Sequence, residues 1–292
     1  MLSSEIIRKI KRIQIKTNHQ VTSTISGSYE SAFKGHGMNF EEVREYAIGD
    51  DVRNIDWNVT ARMNNAYVKI FREERELTIM LLVDLSASGM FGSTEKTKNE
   101  LSAEVAAVLA CTAIKNNDKV GMIIFTDKVE KYIPPKKGTS HIWRVIREIL
   151  SYKPENTKTN IATALEYMMH VQTKKSVAFI ISDFLSFGYD KALKIANKKH
   201  DIIPVYINDI REYDIPGIGL IEIEDAETGE IALINTNSKE FQRLFTNKTA
   251  SHKKNVLELF RTCDADYIDI WTDKTYLDPI IKFFIKRSRR IR

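Results

Sequence analysis

The segment VDLSASGMFGS (83–93) places Asp84, Ser86 and Ser88, one carboxylate and two hydroxyls, at alternate positions where the apolar run LTIMLLVDL (77–85) ends. Residues at i, i+2 and i+4 of an extended segment project to one side, so three hard oxygen donors line up there. Two other segments carry matching chemistry: TKTN (157–160), with Thr159 just ahead of a helix-like stretch, and ISDF (181–184), with Asp183 closing a second buried run. Two carboxylates and three hydroxyls, with no His or Cys among them, form an all-oxygen set suited to a small hard cation, Mg2+ or Mn2+. In this reading Asp84 supplies most of the charge and Ser86 and Ser88 coordinate directly. Thr159 closes the set from a neighbouring loop, and Asp183 binds directly or through water. Mg2+ keeps waters in a near-octahedral shell, which leaves a position for an incoming oxygen such as a partner's Asp or Glu. The bland alternatives are turn formation for Ser86 and Ser88, helix capping for Thr159 and a structural strand-end carboxylate for Asp183.

The elements that must position these residues follow from periodicity. From residue 77 onward, apolar runs alternate with helix-period segments, the pattern of βαβ units around a mostly parallel sheet. The runs at 77–85, 119–127, 175–184, 200–209 and 266–273 read as strands, and those around 99–118, 141–150, 160–171, 187–199 and 238–262 as helices. In the helix from 99, Leu101, Val105, Val108, Leu109 and Thr112 mark one apolar side. KVEKYIPPKKG (128–138) follows its predecessor by a short connection, and Pro134 and Pro135 push it to an antiparallel edge. GLIEIEDAETGEIALIN (219–235) reads as an inserted hairpin within about 213–237. Ahead of this α/β domain (77–292) lies a segment (1–76) with an amphipathic start carrying Ile6, Ile7, Ile10 and Ile13. A polar Gly/Ser-rich stretch and one clear β run, YVKIF, complete it. In open parallel sheets ligands sit outside the carboxyl ends of strands, where the strand order reverses. Asp84 and Asp183 both fall at such ends.

The 292 residues suffice for one large domain with attachments, and the 28% charged content describes an ordinary globular chain. Of the net charge of +5, the tail KFFIKRSRRIR (282–292) holds six basic side chains, which leaves the body at about −1. A general nucleic-acid surface is therefore not implied, and the tail reads as a solvated helix end. Cys111 and Cys263 suit buried free thiols in a reducing compartment, and no window is apolar enough for a signal peptide or membrane span, so a cytoplasmic location is expected. The six histidines show no zinc-ligand spacing, and no phosphate loop or dinucleotide fingerprint is present.

DLSAS, the Thr of KTNIATAL and the Asp of IISDF together resemble the metal-ion-dependent adhesion site of von Willebrand factor A domains, matching at Asp84, Ser86, Ser88, Thr159 and Asp183. That family often has two Gly before its Thr, where this chain has Thr157 and Lys158. Upstream, GHGMNFEEVREYAIGDDVRNIDWNVTAR running into VKIFREERELTIMLLVDLSASGMFG is similar to the bacterial family called domain of unknown function 58. The resemblance implies a Rossmann-like A domain with helices on both faces of its sheet. It also implies a MoxR-type AAA+ ATPase as partner in chaperone-like assembly or stress functions. The expected function is a non-enzymatic, Mg2+-dependent protein interaction module with an acidic protein ligand; the alternative is a phosphoesterase or nuclease using the same ion as Lewis acid. Asp50, Asp51, Arg53, Asp56 and Arg62, around Trp57, form either a docking surface for the ATPase or a charge network locking the N-terminal segment onto the domain. The client and the oligomeric state are left open.

Overall fold

Six apolar runs find their partners in one sheet. The structure, a computed structural model, describes residues 23–33, 39–63, 65–72, 76–93, 96–226 and 229–290. An N-terminal helix α1 (Ser23–Phe33) precedes a small antiparallel ribbon of β1 (Asn39–Glu45) and β2 (Tyr67–Arg72), joined through a short helix α2 (Trp57–Met63). The main sheet then takes β3 (Thr78–Asp84), β4 (Lys119–Phe125), β5 (Val129–Lys136), β6 (Val177–Ser182) and β7 (Asp201–Asn208). The hairpin β8 (Leu220–Glu224) and β9 (Ile231–Asn235) follows, and β10 (Ile268–Trp271) joins the main sheet last. Strand order in that sheet is β10-β7-β6-β3-β4-β5, parallel throughout except for β5. The antiparallel strand is the edge, as its two prolines require.

The helices follow from the strands' two apolar faces. On one side pack α1, α3 (Lys98–Lys115), α4 (Thr139–Ser151) and α8 (Leu277–Arg290); on the other, α5 (Ile161–Val171), α6 (Asp190–Lys199) and α7 (Lys239–Thr262). Alternate residues of β3 divide accordingly, Ile79, Leu81 and Val83 entering the first core and Met80 and Leu82 the second. The helix α3 differs from its sequence reading. It is buried nearly all round, Ala103, Ala106, Ala107 and Ala110 included, because neighbouring helices cover the face the sheet leaves open.

Residues 23–33 also differ, since the stretch read as polar and Gly/Ser-rich is helical. Ile25, Tyr29, Ala32 and Phe33, at helical spacing, enter the first core, where the Tyr29 and Phe33 rings meet Phe284 of α8 at 5.5 and 5.7 Å. The Tyr29 hydroxyl donates to Asp118 at 2.8 Å, a buried tie. The amphipathic start with Ile6, Ile7, Ile10 and Ile13 lies outside the described residues. The described part of the basic tail, up to Arg290, lies in α8, anchored by Ile280, Phe283 and Phe284, with Arg287 paired to Asp201 and Arg290 to Asp266.

Candidate metal centre

The chain lays down β3, β4 and β5 in one direction and then returns to place β6 on the other side of β3. The reversal therefore falls between β3 and β6, and their carboxyl ends carry Asp84 and Asp183. A small cavity at that point is lined by Asp84, Ser86, Ser88, Lys98 and Asp183, with Asn99, Ser102 and Ser182 around them.

The loop after β3 is shaped by its own side chains. Asp84 Oδ1 accepts the Ser86 amide at 2.9 Å, an Asx-type turn, and Oδ2 accepts the Ser182 hydroxyl at 2.6 Å. Ser86 and Ser88 share a hydrogen bond of 3.1 Å between their hydroxyls, so the alternate positions do face one way. Gly89 lets the loop pass close to α3, where a Cβ would overlap the Asn99 side chain and force it to move.

The loop after β6 turns sharply. Phe184 has φ 52°, a left-handed conformation costing a non-glycine residue about 1–2 kcal/mol. That turn sends Phe184 into the second core, against Phe260 at 4.9 Å and Tyr206 at 5.7 Å, and leaves Asp183 at the cavity. Asp183 Oδ1 accepts the Leu185 amide at 3.2 Å.

Thr159 lies on a neighbouring loop. Its loop lies against the first one, the Ala87 amide donating to the Thr157 carbonyl at 2.9 Å, but Thr159 is not in the cavity lining. Its carbonyl accepts the Ser186 hydroxyl at 3.3 Å, and Asn160 caps α5 by accepting the Thr163 amide at 3.2 Å. The structure thus brings together Asp84, Ser86, Ser88 and Asp183, and sets Thr159 in the adjoining loop.

Two residues were missed by sequence reasoning. Lys98, 2% exposed, reaches into the site and donates to Asp183 Oδ2 at 2.6 Å and to Glu212. It is the first residue of α3, behind the capping box formed by Thr97 and Glu100. A cation there faces the positive end of the helix dipole, an unfavourable placement that would have been a signal in TKNE had the helix start been fixed. Glu212 belongs to a single helical turn after β7 (Ile210–Glu212), and its second oxygen accepts the Asp209 amide at 3.2 Å. Asp209, fully buried, in turn accepts from the Ser93 and Thr272 hydroxyls at 2.5 and 2.7 Å and so joins the loops after β3, β7 and β10.

Burial chiefly, and then the neighbouring Asp183 carboxylate, push Asp84 up to about 7, against hydrogen bonds from Ser182 and Ser86 that favour its charged form. Burial acts to lower Lys98, but Asp183 and Glu212 outweigh it, so the ammonium is held charged. Asp84, Ser86, Ser88 and Asp183 offer oxygen donors of the kind a hard divalent cation takes, and the positive charge in the lining is the Lys98 ammonium, paired with Asp183 and with Glu212 outside it. Asp84, Ser86, Ser88 and Asp183 would hold the ion.

The same two loops carry exposed apolar side chains, Met90 and Phe91 after β3 and Leu185 and Phe187 after β6, with Phe187 88% exposed. The charged cluster near Trp57 is organised differently from the expected lock onto the domain. Arg44 pairs with Asp50, Arg53 with Asp51 and Lys69 with Asp56, each within the N-terminal segment, while Asp56 also caps α2 and Arg62 is exposed.

A mostly parallel α/β sheet with a hydroxyl- and carboxylate-rich site at its switch point defines a class of Rossmann-like domains with a candidate cation centre. The chain belongs to the family described as protein of unknown function DUF58, whose pattern matches residues 42–255. It is 26% identical over 283 residues to the uncharacterized protein Mb1516 of Mycobacterium bovis, covering 96% of this chain and 89% of that one. It is also 26% identical over 136 residues to YeaD of Bacillus subtilis, covering 47% of this chain and 31% of YeaD. Similar solved structures include the conserved hypothetical protein BatB of Bacteroides thetaiotaomicron (17% identity, TM-score 0.49, 73% of this chain and 99% of that one). The SpRpn10 VWA domain is another (11% identity, TM-score 0.39, 71% and 94%). No helix among the described residues is long and apolar enough to cross a membrane.

Proposed function

We propose that this chain is a non-enzymatic protein interaction module that binds its partner at the carboxyl edge of the sheet through a divalent ion, Mg2+ or Mn2+. The observation that carries the reading is the convergence of Asp84, Ser86, Ser88 and Asp183 on one cavity at the switch point between β3 and β6. Asp84 and Asp183 supply charge, Ser86 and Ser88 supply neutral oxygens, and Thr159 would join from the adjoining loop. An acidic side chain of the partner completes the shell, and Met90, Phe91, Leu185 and Phe187 give it an apolar rim to pack against. When bound, the ion supplies positive charge for that carboxylate; the chain's own residues orient it and exclude water. The resemblance to domain of unknown function 58 supports a MoxR-type AAA+ ATPase as partner, in chaperone-like assembly or stress functions. Free Cys111 and Cys263 suit the reducing cytoplasm.

The test is calorimetric titration of Mn2+ and Mg2+ into chelator-stripped protein, with Asp84→Ala and Asp183→Ala beside it, followed by capture of a MoxR-type ATPase with and without chelator. One ion bound by the wild type, none by the variants, and capture lost on chelation are expected. Capture indifferent to chelator overturns the ion's role, and turnover of a phosphodiester panel with Mn2+ overturns the non-enzymatic reading.

A further inference from the structure

We infer that Lys98 is a tethered competitor for the divalent ion: its ammonium holds Asp183 when no ion is bound, and an ion must displace it toward Glu212 in order to bind. The inference rests on the metal reading above and deepens it by naming what regulates the site.

The placement of Lys98 is costly on two counts. Its ammonium is out of water, and it sits in the first turn of α3, where the helix dipole disfavours a cation. Both are offset only by the carboxylates it meets, Asp183 at 2.6 Å and Glu212. The cavity that Lys98 and Asp183 line is also lined by Asp84, Ser86 and Ser88, so the ammonium competes for the space in which a cation would be coordinated.

Asp183 serves both cations only at an electrostatic cost. Its Oδ1 accepts the Leu185 amide and its Oδ2 accepts Lys98, so an ion drawn to either oxygen meets one already engaged by an N–H donor, and at Oδ2 it meets the ammonium itself. Two positive charges in a dry cavity also repel strongly. Glu212 resolves this, because it lies 114 positions along the chain from Lys98, on a different loop, and can keep the ammonium after Asp183 is surrendered. That loop is fixed from behind: Glu212 caps its own turn through the Asp209 amide, and the adjacent Tyr213 donates to Asn208 at 2.6 Å and packs on Trp271. The structure therefore holds both ends of a switch, one carboxylate to be released and one to receive.

Ion affinity is then set by a competition inside the chain. A partner that contributes its own carboxylate adds to the divalent side of that competition.

The experiment compares wild type, Glu212→Gln and the double variant Lys98→Met/Glu212→Gln, all chelator-stripped and shown folded by circular dichroism. The double variant removes one charge of each sign, so the net charge is unchanged. Calorimetric Mn2+ titration is expected to give at least about tenfold tighter binding for the double variant than for Glu212→Gln, which keeps Lys98 on Asp183. In parallel, Glu212→Gln, in which no carboxylate at 212 can receive the displaced ammonium, is labelled with acetic anhydride and read by mass spectrometry. Lys98 is expected to be protected in chelator and to label faster at saturating Mn2+. Equal Mn2+ affinity in all three proteins overturns the role of Lys98 and leaves the metal site standing; no binding in any of them overturns both. Should the double variant fail to fold, the labelling decides: a Lys98 that labels like surface lysines in chelator, or stays protected when Mn2+ is bound, refutes the competition.

Discussion

Replacing Asp84 by Asn tests the electrostatics of the site without changing its shape. The Asp84 carboxyl is buried beside Asp183, and these two influences raise it from its ordinary 3.8 to about 7. A carboxyl whose folded value exceeds its unfolded value contributes stability below the unfolded value and loses it as pH rises through the folded one. In chelator, then, the wild type should become less stable between pH 4 and pH 8. At about 1.4 kcal/mol per tenfold, the difference between 3.8 and about 7 corresponds to about 4 kcal/mol at pH 8. Asp84→Asn removes this loss while its carbonyl still accepts the Ser86 amide and the Ser182 hydroxyl is free to reorient. Urea denaturation in chelator should therefore find the variant more stable than wild type at pH 8, by up to about 4 kcal/mol, and the gap should shrink below about 1 kcal/mol at pH 4. Saturating Mn2+ should narrow that gap at pH 8, since an ion at 100 times its dissociation constant adds about 2.7 kcal/mol to the protein that binds it. A variant less stable than wild type at pH 8 in chelator would refute the reasoning, because it would make the ionised Asp84 a net stabiliser.

Further outcomes follow from the packing around the site. Phe284→Ala should cost about 3–5 kcal/mol in denaturant unfolding and expose the amides of α1 to hydrogen exchange, since Tyr29 and Phe33 both rest on that ring. Tyr29→Phe should cost about 1–2 kcal/mol by leaving one Asp118 oxygen without its buried donor, with the fold retained by circular dichroism. Phe187→Ser, at an 88% exposed position, should leave stability within about 0.5 kcal/mol of wild type yet weaken ATPase capture; an unchanged capture would remove the apolar rim from the binding face.

Much of this molecule is decided locally. The continuous apolar character of LTIMLLVDL and KSVAFIISDF dictates strands covered on both faces, and Pro134 and Pro135 dictate an edge. The spacing in DLSAS offers Ser86 and Ser88 just past the strand end, and a short helical turn over Ala87–Met90, rather than an extended backbone, brings their hydroxyls together. These signals are legible because each depends on a few neighbouring residues. The helix at 23–33 was hidden because its apolar positions, Ile25, Tyr29, Ala32 and Phe33, are diluted by Ser and Gly, and its stability comes from Phe284, far along the chain.

The rest is a matter of long-range placement. Strand order, which sequence does not print, sets Asp84 beside Asp183 and leaves Thr159 in the adjoining loop. The left-handed turn at Phe184 holds because a distant aromatic core over-determines it. Lys98 and Glu212 meet across 114 positions, and nothing near either residue announces the other. The sequence by itself determined which oxygens are offered and that they lie at strand ends, since both follow from backbone periodicity. Only the tertiary structure decided that a lysine shares their cavity, because the charge that makes a buried ammonium tolerable comes from two other loops.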